Sequence, residues 1–197
     1  MLALLGGCGN FQVLDCASTD WEALGVEDGA AGADPETPDH YRTVCDRQGS
    51  KMDLVAYRVG TAAGLRRYCV EPTAFALGAR GDDAFTGCPD DLSRAFARAY
   101  ADGRTAFEAE QAAKALRQQI RYKQQERDAV ELDLEAAQVQ VRADGLGLGA
   151  RAQWLAKVND LNRQRQALER ELAALQGQLA TTQSLLAQAT DGEARDP

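Results

Sequence analysis

Residues 154–186 read WLAKVNDLNRQRQALERELAALQGQLATTQSLL, and the spacing of their apolar side chains decides the architecture. Trp154, Val158, Leu161, Leu168, Leu172, Leu175, Leu179 and Leu186 step along one a/d seam, with Arg165 its one charged position. Steps of three and four residues share one face of an α-helix, and heptads sustained this long predict a coiled coil. Upstream, Ala113, Leu116, Ile120, Val130, Leu134, Ala137 and Val141 form a second seam, interrupted by Lys123 and Arg127. Between the seams, Asp144-Gly-Leu-Gly-Leu-Gly149 breaks the helix with three glycines. A short break between arms of similar length favours an antiparallel hairpin.

Folding about Gly147 brings Leu134 near Leu161, Ile120 near Leu175 and Leu116 near Leu179. Arg127 and Arg165 fall near the middle, where their long stems can run outward to flanking carboxylates. The other reading of these interruptions is that a further helix docks there. Each arm of about 40 residues reaches about 60 Å. The first arm continues a helix that starts near Pro89. Whether the coil closes within one chain or between chains stays open.

The half of the chain before Arg104 has a different character. Through Gly103 it carries 16 acidic and 9 basic residues, against 14 and 13 beyond. An acidic head and a balanced tail leave no electrostatic footprint for nucleic acid. Thr19-Asp20-Trp21-Glu22 has the form of a capping box and opens a helix that weakens at Gly29 and Gly32. A short helix from about Asp39 stops at Gly49, and Asp53 caps the next, which ends at Pro72. Phe75–Gly78 reads as a brief helical turn. No alternating pattern of a strand occurs, so the fold is all-α: a small disulfide-stapled helical domain followed by a long antiparallel coiled-coil hairpin. The expected divisions are 1–8 as a signal remnant, 9–103 as the head, 104–190 as the coil with its turn at 144–149, and 191–197 as a disordered tail.

Glycines recur beside aromatics in Tyr57-x-x-Gly60, Phe75-x-x-Gly78 and Tyr100-x-x-Gly103, while Gly25 and Gly29 follow Trp21. Glycine inside a helix costs about 1 kcal/mol relative to alanine. The expected return is close approach of helix backbones, with an aromatic ring lying over the bare surface.

Five cysteines are present. Cys16, Cys45, Cys69 and Cys88 read as two disulfides in an exported domain. Three connectivities are open; Cys16–Cys45 with Cys69–Cys88 is favoured because each pair brackets a local excursion. Each loop contributes about 3–4 kcal/mol in the chain-entropy model. Zinc is the rival use, but no C-x-x-C pair occurs. Cys8 closes the run Leu4-Leu5-Gly6-Gly7-Cys8, which resembles a bacterial lipobox, where the chain is cut before a cysteine that carries the lipid. Only Met1–Leu5 precede the glycines, without Lys or Arg, so an upstream start or a trimmed chain is expected. The plainer reading is a frayed apolar N-terminus with one odd cysteine.

The strings DWEALGVEDGAAG (20–32), HYRTVC (40–45), DLVAYRVGTAAGLRRYC (53–69) and FARAYADG (96–103) are similar to the bacterial lipoprotein family called domain of unknown function 2799. The resemblance covers about Cys8 to Gly103 and implies a Gram-negative envelope lipoprotein with no assigned activity and no catalytic residues to carry over.

Catalytic constellations are missing from the motifs. His40 is the one histidine, with no Gly-x-Ser-x-Gly or Ser-x-x-Lys beside it, and at a helix start it is expected to pack. Asp82/Asp83 suit a turn and Asp90/Asp91 a helix N-terminus. Gly145–Gly149 lacks the strand and the Lys-Ser/Thr of a phosphate loop. The expectation is therefore a non-enzymatic envelope lipoprotein without cofactor or metal. It is held through Cys8, its signal removed and its anchor acylated with palmitate, at the outer membrane facing the periplasm. Its coil meets an envelope protein. The alternative is a ligand-binding or enzymatic site around His40, Arg66, Arg67 and Tyr68, which requires a pocket where they converge. Arg66-Arg67 also stands out as a basic spot suited to lipid head groups or an acidic partner.

Overall fold

Asp20, not Thr19, opens the first helix of the computed structural model, which describes residues 14–33 and 37–191. Its carboxylate accepts from the Ala23 amide at 3.0 Å, while the Thr19 hydroxyl donates to the Asp15 carbonyl. The capping-box reading shifts by one residue because the hydroxyl is already used. Six helices follow among the described residues: α1 Trp21–Ala30, α2 Thr37–Arg47, α3 Leu54–Tyr68, α4 Glu71–Arg80, α5 Asp90–Arg142 and α6 Leu148–Asp191. No strand occurs among them, and the fold is all-α.

Asp53 caps α3 as expected, accepting from the amides of Val55 and Ala56 at 3.0 Å. Pro72 does not close α3, which ends at Tyr68 with Cys69 as its cap. It lies in the first turn of α4, where a missing N–H costs nothing, so the segment read as a brief turn is a helix of 10 residues.

Packing groups the described residues into two units: those within 14–74 together with 83–99, and 75–82 together with 100–191. In the second unit α4 and α5 meet backbone to backbone: a Cβ on Gly78 would strike the Tyr100 carbonyl, and one on Gly103 the Phe75 carbonyl. The Tyr100 hydroxyl donates to the Asp82 carbonyl at 2.8 Å. These contacts draw residues 75–82 to the start of the long coil rather than to the head.

Within the first unit α1 and α3 cross in the same way. A Cβ on Gly25 would meet the Tyr57 carbonyl, on Gly29 the Thr61 carbonyl, on Gly60 the Glu22 carbonyl and on Gly64 the Val26 carbonyl. The close approach is as expected; the covering ring is not. Inside α1, α3, α4 and the start of α5 the glycines abut backbone, and rings lie over helix-terminal glycines instead. The Tyr68 ring covers Gly32 (φ 75°), and the Phe107 ring covers Gly81 (φ 81°). A left-handed terminal residue leaves a notch that a ring can fill.

Trp21, Tyr57, Cys16 and Cys45 form the buried centre of the head, with Tyr41 and Met52 against it. The sulfurs of Cys16 and Cys45 stand at disulfide distance, as do those of Cys69 and Cys88, with Cα separations of 5.5 and 5.7 Å. In the second unit α5 and α6 fold back as an antiparallel hairpin. Leu134, Ala137 and Leu161 are buried together, flanked by Val130, Trp154 and Val158. Gly145 takes the left-handed turn (φ 76°), and Arg151 reaches back to the Ala143 carbonyl at 3.4 Å, answering one of the open carbonyls at the end of α5.

Candidate functional site

His40 lies on α2 with its ring in solvent, 5.9 Å from the Tyr41 ring, so the expectation that it packs is corrected. It borders a shallow depression with Thr37, Asp39 and Thr43. Arg66 and Arg67, in the last turn of α3, are exposed; Arg66 makes a 2.9 Å ion pair with Asp91. Tyr68 is half-buried, edge-on to Phe85 at 5.0 Å and stacked on Phe96 at 6.2 Å. A separate cavity of about 320 Å³ lies beside Tyr57, Thr61, Leu65 and Phe85. Neither hollow is lined by Arg66, Arg67 or Tyr68. The four residues of the ligand-site reading do not share a cavity there. Among the described residues no three His, Cys, Asp or Glu side chains stand close enough to hold a metal ion together.

The polar feature of the head core lies elsewhere. The Tyr57 hydroxyl donates to Asp28 Oδ2 at 2.8 Å, and the Tyr41 ring meets Tyr57 edge-on at 5.7 Å. Burial, then the Asp28 and Glu27 carboxylates, push the Tyr41 phenol up to about 12. Burial first, and then Asp28, raises Tyr57 further.

On the hairpin, the side chains that interrupt the seams are paired. Lys123 Nζ bridges the two helices to Glu171 at 2.9 Å and also holds Glu126 at 2.9 Å. The hydrogen bond to Glu171, then that to Glu126, raises the Lys123 ammonium above its ordinary value. Arg127 pairs with Asp128 and Glu131, while Arg165 lies 3.6 Å from Glu169 with its Nε buried and without a hydrogen-bond partner among the described residues. Beside this polar stretch an open groove of about 720 Å³ runs between the arms, lined by Ala115, Tyr122, Lys123, Glu171, Ala174 and Leu175. Tyr122 is 59% exposed.

Residues 20–105 match the model of the family described as Protein of unknown function (DUF2799). Over this segment, 86 of the 197 residues, the chain is similar to that family. No curated protein and no solved structure matches the chain. The DUF2799 segment opens on the Asp20 cap of α1 and closes just after the Gly78–Gly103 crossing, so it contains all six of the helix-interior glycines that abut backbone. Cys16 precedes it, and the groove at Tyr122 lies beyond it. Cys8 and the terminal segment 192–197 lie outside the described residues.

The Asp28–Tyr57 bond escaped sequence reading because no local spacing links residues 29 positions apart. Tyr122 did carry a signal: it stands two residues past the seam position Ile120, off the a/d face. The raised phenols make a prediction for the DUF2799 head. A phenol harder to ionise when folded contributes stability that is whole below its ordinary value of 10.0 and is lost as pH rises toward about 12. The denaturant midpoint of the head is expected to hold steady to about pH 10 and then to fall, and Tyr57→Phe is expected to flatten part of that fall. A midpoint unchanged between pH 9 and 11.5 would contradict the burial of these hydroxyls.

Proposed function

We propose that the protein is a non-enzymatic envelope lipoprotein whose head sits near a membrane and whose coil engages an envelope protein. The observation that carries the reading is the coil: helices of 53 and 44 residues close a seam on themselves and leave a groove open at Tyr122 and Leu175. Such a hairpin spends much chain on reach and on surface and little on enclosure, which suits contact with another macromolecule. Two cysteine pairs at bonding distance in a small helical head support an oxidising compartment, in keeping with export. Cys8 supplies the anchor in this reading, acylated after removal of a signal, at the outer membrane facing the periplasm. The ligand-site reading around His40, Arg66, Arg67 and Tyr68 has less behind it, since the hollows beside His40 and beside Tyr57 are not lined by Arg66, Arg67 or Tyr68.

A photo-crosslinking residue in place of Tyr122, in protein expressed in the envelope, is expected to capture one discrete protein. The same probe at exposed Arg163 should not capture it. In parallel, Cys8→Ser is expected to abolish acyl labelling and release the protein from the membrane fraction. Equal capture from both positions would remove the role of the groove; a membrane-bound, unlabelled Ser variant would remove the anchor.

A further inference from the structure

The outward face of α3 is unlike the rest of the head. Its inward face is committed to α1 through Gly60 and Gly64, with Tyr57 buried between. Outward, Val55, Val59, Ala62 and Arg66 follow one another at steps of four, three and four, which is a single line along a helix. Val55 is 75% exposed and Val59 55%. Arg58 flanks this line on one side and Arg67 on the other, both exposed. The helix contains three arginines and no acidic residue, in a head whose acidic residues outnumber its basic ones 16 to 9. Asp53 is occupied as the helix cap, and Asp91 is paired with Arg66. Arg58 and Arg67 have no carboxylate partner among the described residues.

We infer that this face of α3 docks on a lipid surface bearing anionic head groups. Val55, Val59 and Ala62 run along the line, Arg66 stands at its end and Arg58 and Arg67 lie to either side, the combination of apolar and cationic side chains that interfacial helices use. Valines enter the boundary between head groups and acyl chains, and the arginine stems follow them while their guanidinium groups stay with the phosphates. An acidic protein surface would answer the arginines too, but two valines and an alanine are a small apolar patch for a stable protein interface, whereas they suffice to enter a head-group layer. A bilayer answers both. Each cation near an anionic surface is worth about fivefold in affinity, so the face alone gives weak, salt-sensitive binding. That is useful chiefly to a protein held nearby by another device. The inference is separate from the anchor at Cys8, which it would orient rather than replace.

The test uses the full chain carrying Cys8→Ser, so that no acyl group contributes. Co-sedimentation with vesicles of phosphatidylglycerol mixed with phosphatidylcholine is expected, with little binding to phosphatidylcholine alone and release at high salt. Arg58→Glu with Arg67→Glu should weaken binding more than tenfold, and Val59→Asp comparably. Arg163→Glu, an equal change of charge at an exposed site on the coil, should leave it unchanged. Helical ellipticity and the absence of free thiols at Cys16, Cys45, Cys69 and Cys88 certify the fold of each variant. Equal binding by the double variant, equal loss with Arg163→Glu, or no binding to the anionic vesicles would overturn the proposal. Capture of an acidic protein from residue 59 without vesicle binding would assign the face to a protein instead. Failure here leaves acyl labelling at Cys8 untouched, so the two ideas fall separately.

Discussion

Gly60→Ala will destabilise the head by about 3 kcal/mol, far beyond what one methyl group ordinarily does to a helix. The added Cβ would press on the Glu22 carbonyl and stand 2.9 Å from the Val26 nitrogen. Both are backbone atoms, so neither can rotate away, and α1 and α3 must move apart. Separation loosens the packing of Trp21 and Tyr57, the two large aromatics of the core. The control is Gly177→Ala on α6, where nothing lies within 4 Å of the added atom. There the same change should stabilise by up to about 1 kcal/mol through helix propensity alone. Denaturant unfolding of the two variants should therefore move in opposite directions. If Gly60→Ala unfolds at the wild-type midpoint, the close crossing of α1 and α3 is wrong.

Leu161→Asp is expected to be the most damaging single change on the hairpin. Leu161 is 2% exposed and packs with Leu134 and Ala137. Its loss removes about 1.5–3 kcal/mol of burial, and the carboxylate that replaces it adds several more in desolvation. Leu172→Asp, at 6% exposure, should come next. Leu175→Asp should cost less, because that side chain already meets solvent in the groove. Helical ellipticity of the full chain on heating reads the order. Because both arms supply one seam, the coil's melting temperature should not depend on protein concentration. A rise with concentration, and a dimer or trimer at two widely spaced concentrations in sedimentation, would mean that the arms pair between chains.

The hairpin was legible because every third or fourth side chain repeats one instruction over many turns, and accidental agreement over that length is rare. Leu134 meets Leu161 where folding about the glycine turn placed it. The cysteine pairs follow the favoured connectivity since each joins neighbours across one short excursion. Local signals that admit two meanings were less reliable. Pro72 can stop a helix or start one, and only the preceding break at Cys69 and Val70 shows that it starts α4. Glycine next to an aromatic residue announced close packing correctly, but whether ring or backbone fills the space depends on the partner helix, which spacing does not encode. His40 looked like a helix-start residue to be packed, yet α2 begins at Thr37 and turns it outward.

The cations in the coil seam have a consequence for how it opens. Lys123, Arg127 and Arg165 separate an apolar stretch beside the turn, around Leu134 and Leu161, from another farther along, around Ile120 and Leu172. A seam interrupted in this way need not part all at once. The stretch nearest the turn closes the shortest loop and is the easier to re-form after a fluctuation. The stretch beyond the cations can fray while the first stays shut, with the Lys123–Glu171 bridge as the latch between them. Amide hydrogens near Leu161 would then exchange with solvent more slowly than those near Leu172. The groove at Tyr122 lies on the side of the latch that yields first, where the arms can spread to admit what they bind.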